Sequence, residues 1–357
     1  MVFQKYINIA IVCTFVTLVA IQANKNFVLD EIDFPIVSHA TSQTLKPIYY
    51  RGEGAEQHVG TYHPTLYINS LAVFIRIFGY SEVSVRIFGI VCTLVSAFLL
   101  LKIFRLLTKK NSRAEVLFLG LFLFNPYTIA NTTLPDIDST VMPVVILLFL
   151  YASLYYLHKK KDMSKRVVLI LGCIFGLALW SKLTTPLIIP LFLFILATIT
   201  SKKYKDNLLF TFKVATLGIL IFAVSYFLYC KLFGLSTTYT YTFLIDSFTK
   251  GTNADGPLVG ALNNLKNIGH LIYWLTLPFV GLLGVSFFSM VFDKDKDYNN
   301  KIKKLLVATA VLVSIFYIAL ISPFGGFFKY PFATFGLLTL SIIFFYERYF
   351  ADIKLKF

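Results

Sequence analysis

Residues 208–229 read LLFTFKVATLGILIFAVSYFLY, with Lys213 as the one charge in the stretch. A helix rises about 1.5 Å per residue, so this run reaches across a hydrocarbon layer of about 30 Å. In lipid each backbone N–H and C=O needs a partner from its own segment, and a run this apolar therefore folds as a helix. Working outward, similar runs recur at about 7–23, 84–106, 114–131, 140–157, 167–181, 186–200, 271–292, 304–321 and 332–347. Together they make about ten spans and an all-α polytopic membrane protein. Composition agrees: 57% of residues are hydrophobic and 14% charged, against about 25% charged in an average soluble chain.

The net charge is +15. Its distribution excludes nucleic acid as the partner, because the basic residues bunch in short loops between apolar runs. Clusters at 102–113, 159–166, 202–205 and 301–304 alternate with poorly basic loops, the pattern of cytoplasmic loops under the positive-inside rule. Both termini then lie in the cytoplasm, and the first run, longer than the apolar part of a signal peptide, reads as an uncleaved span. The apolar region 167–200 is basic at both ends and reads as a hairpin turning near Lys182. Residues 66–78 are too few to span and carry Arg76, so they read as a helix lying at the outer interface. The whole chain, 1–357, is one transmembrane domain with two long outer loops, 24–83 and 234–270. Cys13, Cys92, Cys173 and Cys230 all fall inside apolar runs and read as small buried hydrophobes.

This topology gathers polar residues from distant stretches on one membrane face. They are Asp30-Glu31, Asp136-Ile137-Asp138, Lys182, and Lys329-Tyr330. Carboxylates at a membrane boundary are costly and read by default as functional. A base of that kind takes a proton from a hydroxyl, and nearby cations stabilise a phosphate leaving group. A site joining both suits a substrate with a lipid tail and a phosphate head, although a transporter or lipid flippase uses the same groups. Asp136-x-Asp138 and the histidines His39, His58 and His63 invite a metal reading, but their spacing matches no helical ligand pair. Divalent metal is left open, and no phosphate-cradling glycine loop points to a nucleotide cofactor. Tyr239, Tyr241, Tyr273 and Trp274 read as interfacial aromatics.

The stretch Leu29-Asp30-Glu31-Ile32-Asp33-Phe34 resembles the Asp-Glu motif of the dolichyl-phosphate-mannose protein mannosyltransferases and their bacterial relatives. These are GT-C glycosyltransferases, a class that includes the lipid A aminoarabinose transferases. Further pieces follow in the family's order: His63-Pro64-Thr65-Leu66-Tyr67, Phe78-Gly79 through Arg86, Asn125-Pro126, Asp136-Ile137-Asp138, Gly176-Leu177-Ala178-Leu179-Trp180-Ser181-Lys182 and Lys329-Tyr330-Pro331. The resemblance covers roughly residues 5–200 and thins after 235.

It implies a GT-C-like fold and an inverting glycosyltransferase that takes a sugar from a polyprenyl-phosphate donor. Asp30 then matches the catalytic base, Glu31 its partner, and Asp138 the second outer acidic position. Lys182, Lys329, Tyr330, His63 and Arg86 match or supply groups for the donor phosphate. Lysine at 329 stands where the family usually has arginine, which replaces a bidentate fork by a point charge. The partners implied are the lipid-linked sugar, membrane lipids and an acceptor that is a lipid, a glycan or a protein. The expected location is a bacterial or archaeal plasma membrane, with the site facing outward.

Overall fold

The structure, a computed structural model, describes residues 2–22, 33–49, 58–59, 63–108, 111–201, 203–237, 272–273, 275–293, 297–316 and 332–350. It is helical, apart from a two-residue antiparallel ladder pairing Ile48 with Val59 and Tyr49 with His58. Among the described residues, each of the ten apolar runs coincides with one helix or, at 114–131, with two. In chain order these are α1 (Val2–Gln22), then α2 (Asp33–Thr44) and α3 (Leu66–Phe78) outside the set, followed by α4 (Glu82–Leu107), α5 (Ser112–Leu123) and α6 (Pro126–Thr133). Next come α7 (Val141–Ser153), continued as a π-helix over Leu154–Lys160, then α8 (Lys165–Ser181), α9 (Ile189–Thr200) and α10 (Tyr204–Phe233). The last three are α11 (Leu277–Phe292), α12 (Tyr298–Phe316) and α13 (Phe332–Tyr349). Glu82–Leu107, Val141–Lys160 and Tyr204–Phe233 are each long and apolar enough to cross a membrane.

One expected span is broken. The run at 114–131 divides into α5 and α6, bent by 58°. The cause is local: Pro126 has no N–H to continue the ladder, and the Asn125 side chain instead accepts the amide of Tyr127 at 2.9 Å. The helix expected at 66–78 is present with those bounds and buries Tyr67, Ile68, Leu71, Ala72 and Ile75 against its neighbours.

Small residues set how closely the helices approach. Without a hydrophobic force between helices in lipid, van der Waals contact across small side chains does the work. A methyl at Gly172 would stand 2.8 Å from Leu217 Cδ2, and one at Gly218 would stand 2.9 Å from the Gly172 carbonyl oxygen. Thus α8 and α10 pack backbone to backbone. A methyl at Gly89 would collide with the carbonyl oxygen of Thr132. There α4 meets α6, and the hydroxyls of Thr93 and Thr132 bond at 2.9 Å.

The two ends of the bundle differ in kind. At the basic end Arg105 reaches Glu115 through two bonds, 2.7 and 2.6 Å, across the α4–α5 turn. Arg348 also bonds Asp293 there. The opposite end carries the polar loop 134–140, the C-terminus of α8 and the N-terminus of α4.

Candidate active site

The loop between α6 and α7 is built from its own hydrogen bonds. Asp136 Oδ1 accepts the amide of Asp138 at 2.9 Å, Thr140 Oγ1 donates to the Asp136 carbonyl, and Ser139 Oγ donates to the Leu134 carbonyl at 2.9 Å. Short polar side chains that satisfy nearby backbone groups hold the chain in such turns. The loop is also buried: Asp136 is 4% and Asp138 3% exposed. Burial of two carboxylates demands partners.

Lys182 supplies one. It ends α8 in extended backbone, with its amide still bonded to Ala178, and its Nζ donates to Asp138 Oδ1 at 2.8 Å and Oδ2 at 2.7 Å. Lys182 is itself 4% exposed. A lysine at a helix end often snorkels into the headgroups; this one turns inward instead. The motif around it follows from packing. Gly176 lets α8 approach α10, and Trp180 pins that approach by donating its indole N–H to Ser225 Oγ at 2.7 Å. Trp180 also meets Tyr226 and Tyr229 edge-on, each at 5.3 Å between ring centroids.

Arg86, in the first turn of α4, is 4% exposed and donates from Nε to the Thr133 carbonyl at 3.2 Å. It was expected at the donor phosphate, and the fold buries it beside the loop carrying Asp136 and Asp138. Tyr67 of α3 completes this side. It is fully buried, and burial first, then the charge of Asp136, pushes its phenol well above the ordinary tyrosine range. Its hydroxyl, like that of Tyr127, has no hydrogen-bond partner among the described residues. The start of α3 is tied to α10: Tyr229 donates to Asn69 Oδ1 at 3.3 Å, and Asn69 Nδ2 donates to Thr65 at 3.2 Å. His63 precedes this knot and is half-buried. His39 stacks on Tyr80 at 4.3 Å.

Asp30 and Glu31 lie outside the described residues, as do Lys329 and Tyr330. The nearest described neighbours on either side are informative. Asp33 opens α2, whose Phe34 packs edge-on against Tyr67 at 5.4 Å. Phe332 opens α13 and packs on Tyr127 at 5.7 Å. Of the expected residues, the fold therefore joins Asp138 with Lys182 and sets Arg86 on the Asp136 side. Sequence reading missed Tyr67, the Asn69–Tyr229 tie and the Asp138–Lys182 pairing itself. For Tyr67 the available signal was its place on the apolar face of α3, four residues before Leu71.

Comparison with known proteins finds one family model and one fold. Residues 62–227 match the family model described as dolichyl-phosphate-mannose-protein mannosyltransferase. Two solved structures share the fold, both of ArnT from Cupriavidus metallidurans. The one bound to undecaprenyl phosphate is 13% identical with a TM-score of 0.67, covering 95% of this chain and 59% of that one.

The fold is that of ArnT.

ArnT in its apo state is 14% identical with a TM-score of 0.65, covering 93% of this chain and again 59% of the other. The chain thus spans about three-fifths of the length of the ArnT structures it matches. No curated sequence matches it. The stretch matched by the family model contains Tyr67, Arg86, Asp136, Asp138 and Lys182, so the buried cluster lies wholly within it.

Proposed function

We propose that this chain is an inverting membrane glycosyltransferase that moves one sugar from a polyprenyl-phosphate carrier to an acceptor hydroxyl outside the cytoplasm. The observation that carries the reading is the buried Asp138–Lys182 pair, with Arg86 buried against Thr133 at the start of the same loop, inside the stretch matched by the mannosyltransferase model. That ArnT has been solved with undecaprenyl phosphate supports a lipid-phosphate donor. The reading as transporter or flippase has no comparable support.

In the proposed step, Asp30 takes the proton of the acceptor hydroxyl, whose oxygen attacks the anomeric carbon. The bond from that carbon to the phosphate oxygen breaks, and polyprenyl phosphate departs with the electron pair. A single displacement inverts the sugar centre. Glu31 positions the acceptor, while Lys182, Lys329, Tyr330, His63 and Arg86 receive the phosphate. Asp138 holds Lys182 in place by two bonds, so the ammonium is preorganised before charge develops. The distribution of basic loops supports an orientation with this end of the bundle on the extracytoplasmic side of a plasma membrane.

The test is transfer from labelled polyprenyl-phosphate sugars in membranes holding the full chain. Asp30→Asn is expected to lower the rate by roughly 10²–10⁴, the usual contribution of a positioned base. An unchanged rate removes Asp30 from that role. Lipid movement without sugar transfer favours the transporter.

A further inference from the structure

At the basic end of the bundle, α8 and α10 separate and leave a groove of about 690 Å³. Lys161, Lys165, Lys203 and Lys213 line it, with Asp206 as the one carboxylate. None of these lysines has a carboxylate within ion-pair distance among the described residues. Two helices begin here, α8 at Lys165 and α10 at Tyr204, and neither has a hydrogen bond from its N-cap side chain. Their first turns present unsatisfied N–H groups and partial positive charge toward the same space. Lysines beside two helix N-termini repel those ends. The arrangement relaxes when an anion sits between them.

The groove is also half apolar. Val168 and Leu209 present apolar surface to it, and buried Phe210 of α10 lies behind them. Lys203, Asp206, Phe210 and Lys213 follow one face of α10 by helical spacing. Lys213 lies five residues past Leu208, where the apolar run of α10 begins, about 8 Å into it at 1.5 Å per residue, and its side chain is exposed. Only 22% of the apolar window of α10 is buried in protein, against 61% for α4 and 67% for Val141–Lys160, so of these three α10 leaves the most apolar surface open to lipid. A lysine at that depth directs its ammonium back along the helix toward the headgroup level.

We propose that this groove binds an anionic phospholipid of the adjacent leaflet, its phosphate among the four lysines and its acyl chains against Val168 and Leu209. Charge complementarity selects the occupant: cations with a single carboxylate, above an apolar wall that faces lipid. Assignment to the cytoplasmic leaflet rests on the distribution of basic loops. The site does not depend on sugar transfer, since α8 separates it from Lys182 by its whole length of 17 residues, about 25 Å.

The full chain, purified in zwitterionic detergent, is titrated with phosphatidylglycerol or phosphatidylcholine, and bound lipid is counted by native mass spectrometry. Phosphatidylglycerol is expected to bind far more tightly. Replacing Lys165, Lys203 and Lys213 together by glutamine is expected to weaken it roughly a hundredfold, from about fivefold per lysine. A control with Lys102, Lys159 and Lys301 replaced by glutamine removes equal charge from the same end and is expected to bind nearly as wild type. Equal binding of the two lipids, or equal loss in both triple variants, overturns the proposal. Displacement of phosphatidylglycerol by millimolar inorganic phosphate overturns it in favour of a soluble anion. Stronger binding of polyprenyl phosphate, lost in the same groove variant, overturns it in favour of the carrier. Asp30→Asn leaves lipid binding unchanged whatever the outcome of the transfer assay.

Discussion

Lys182→Met removes the ammonium that reaches both oxygens of Asp138, at 2.8 and 2.7 Å, and strands a carboxylate that is 3% exposed. Breaking a buried pair from one side costs about 3–5 kcal/mol, because the remaining charge keeps its desolvation penalty and loses its compensation. Asp138→Asn strands the lysine and is expected to cost a similar amount. If the two sites were independent, the double variant would lose about 6–10 kcal/mol by addition. Removing both charges leaves an amide beside a thioether of nearly equal volume, and such replacements are often close to neutral. The expected loss for Asp138→Asn/Lys182→Met is therefore about 2 kcal/mol or less, with a coupling energy of at least about 4 kcal/mol. Reversible unfolding in mixed micelles, followed by tryptophan fluorescence, measures all four corners of the cycle. A double variant as unstable as the sum of the singles would refute the pairing. The same proteins separate structure from chemistry. Sugar transfer in the stable double variant is expected to stay down by about 10²–10³, the size of one lost donor to a developing anion.

Gly89→Ala places a methyl against the Thr132 carbonyl and is expected to cost about 1–3 kcal/mol by unfolding, without loss of hydrophobic area. Trp180→Phe keeps the ring contacts to Tyr226 and Tyr229 but loses the bond to Ser225, and should cost about 0.5–1.5 kcal/mol in the same assay. Tyr67 holds its proton to higher pH when folded than when unfolded. The native state therefore binds more protons above pH of about 10, and stability falls as pH rises through that value. Tyr67→Phe should flatten this alkaline slope by up to about 1.4 kcal/mol per pH unit while leaving stability at neutral pH nearly unchanged, since the hydroxyl has no partner among the described residues. A slope equal to that of the wild type would remove Tyr67 from the account.

The fold was legible in the chain because lipid leaves the backbone few choices. Runs such as 208–229 must be helices, and basic loops label one end of each. The short run at 66–78 declared itself by being too short to span, and it forms a helix with those bounds. The break at Asn125-Pro126 was written in the proline, yet the span was read as continuous, since a proline in a membrane helix is as often tolerated as disruptive. The site was legible as a set of residues on one face, but not as a set of contacts. Asp138 and Lys182 are 44 residues apart, and Arg86 lies 47 residues from the carbonyl it bonds. No periodicity carries that information, because the partners sit on different helices whose rotation is set by packing at Gly89, Gly172 and Gly218. Composition and charge alone determined a helical membrane protein with polar residues gathered at one end. The tertiary structure decided which of those charges neutralise each other, because in a low-dielectric interior a carboxylate is held by whichever cation the helix crossings bring within about 3 Å.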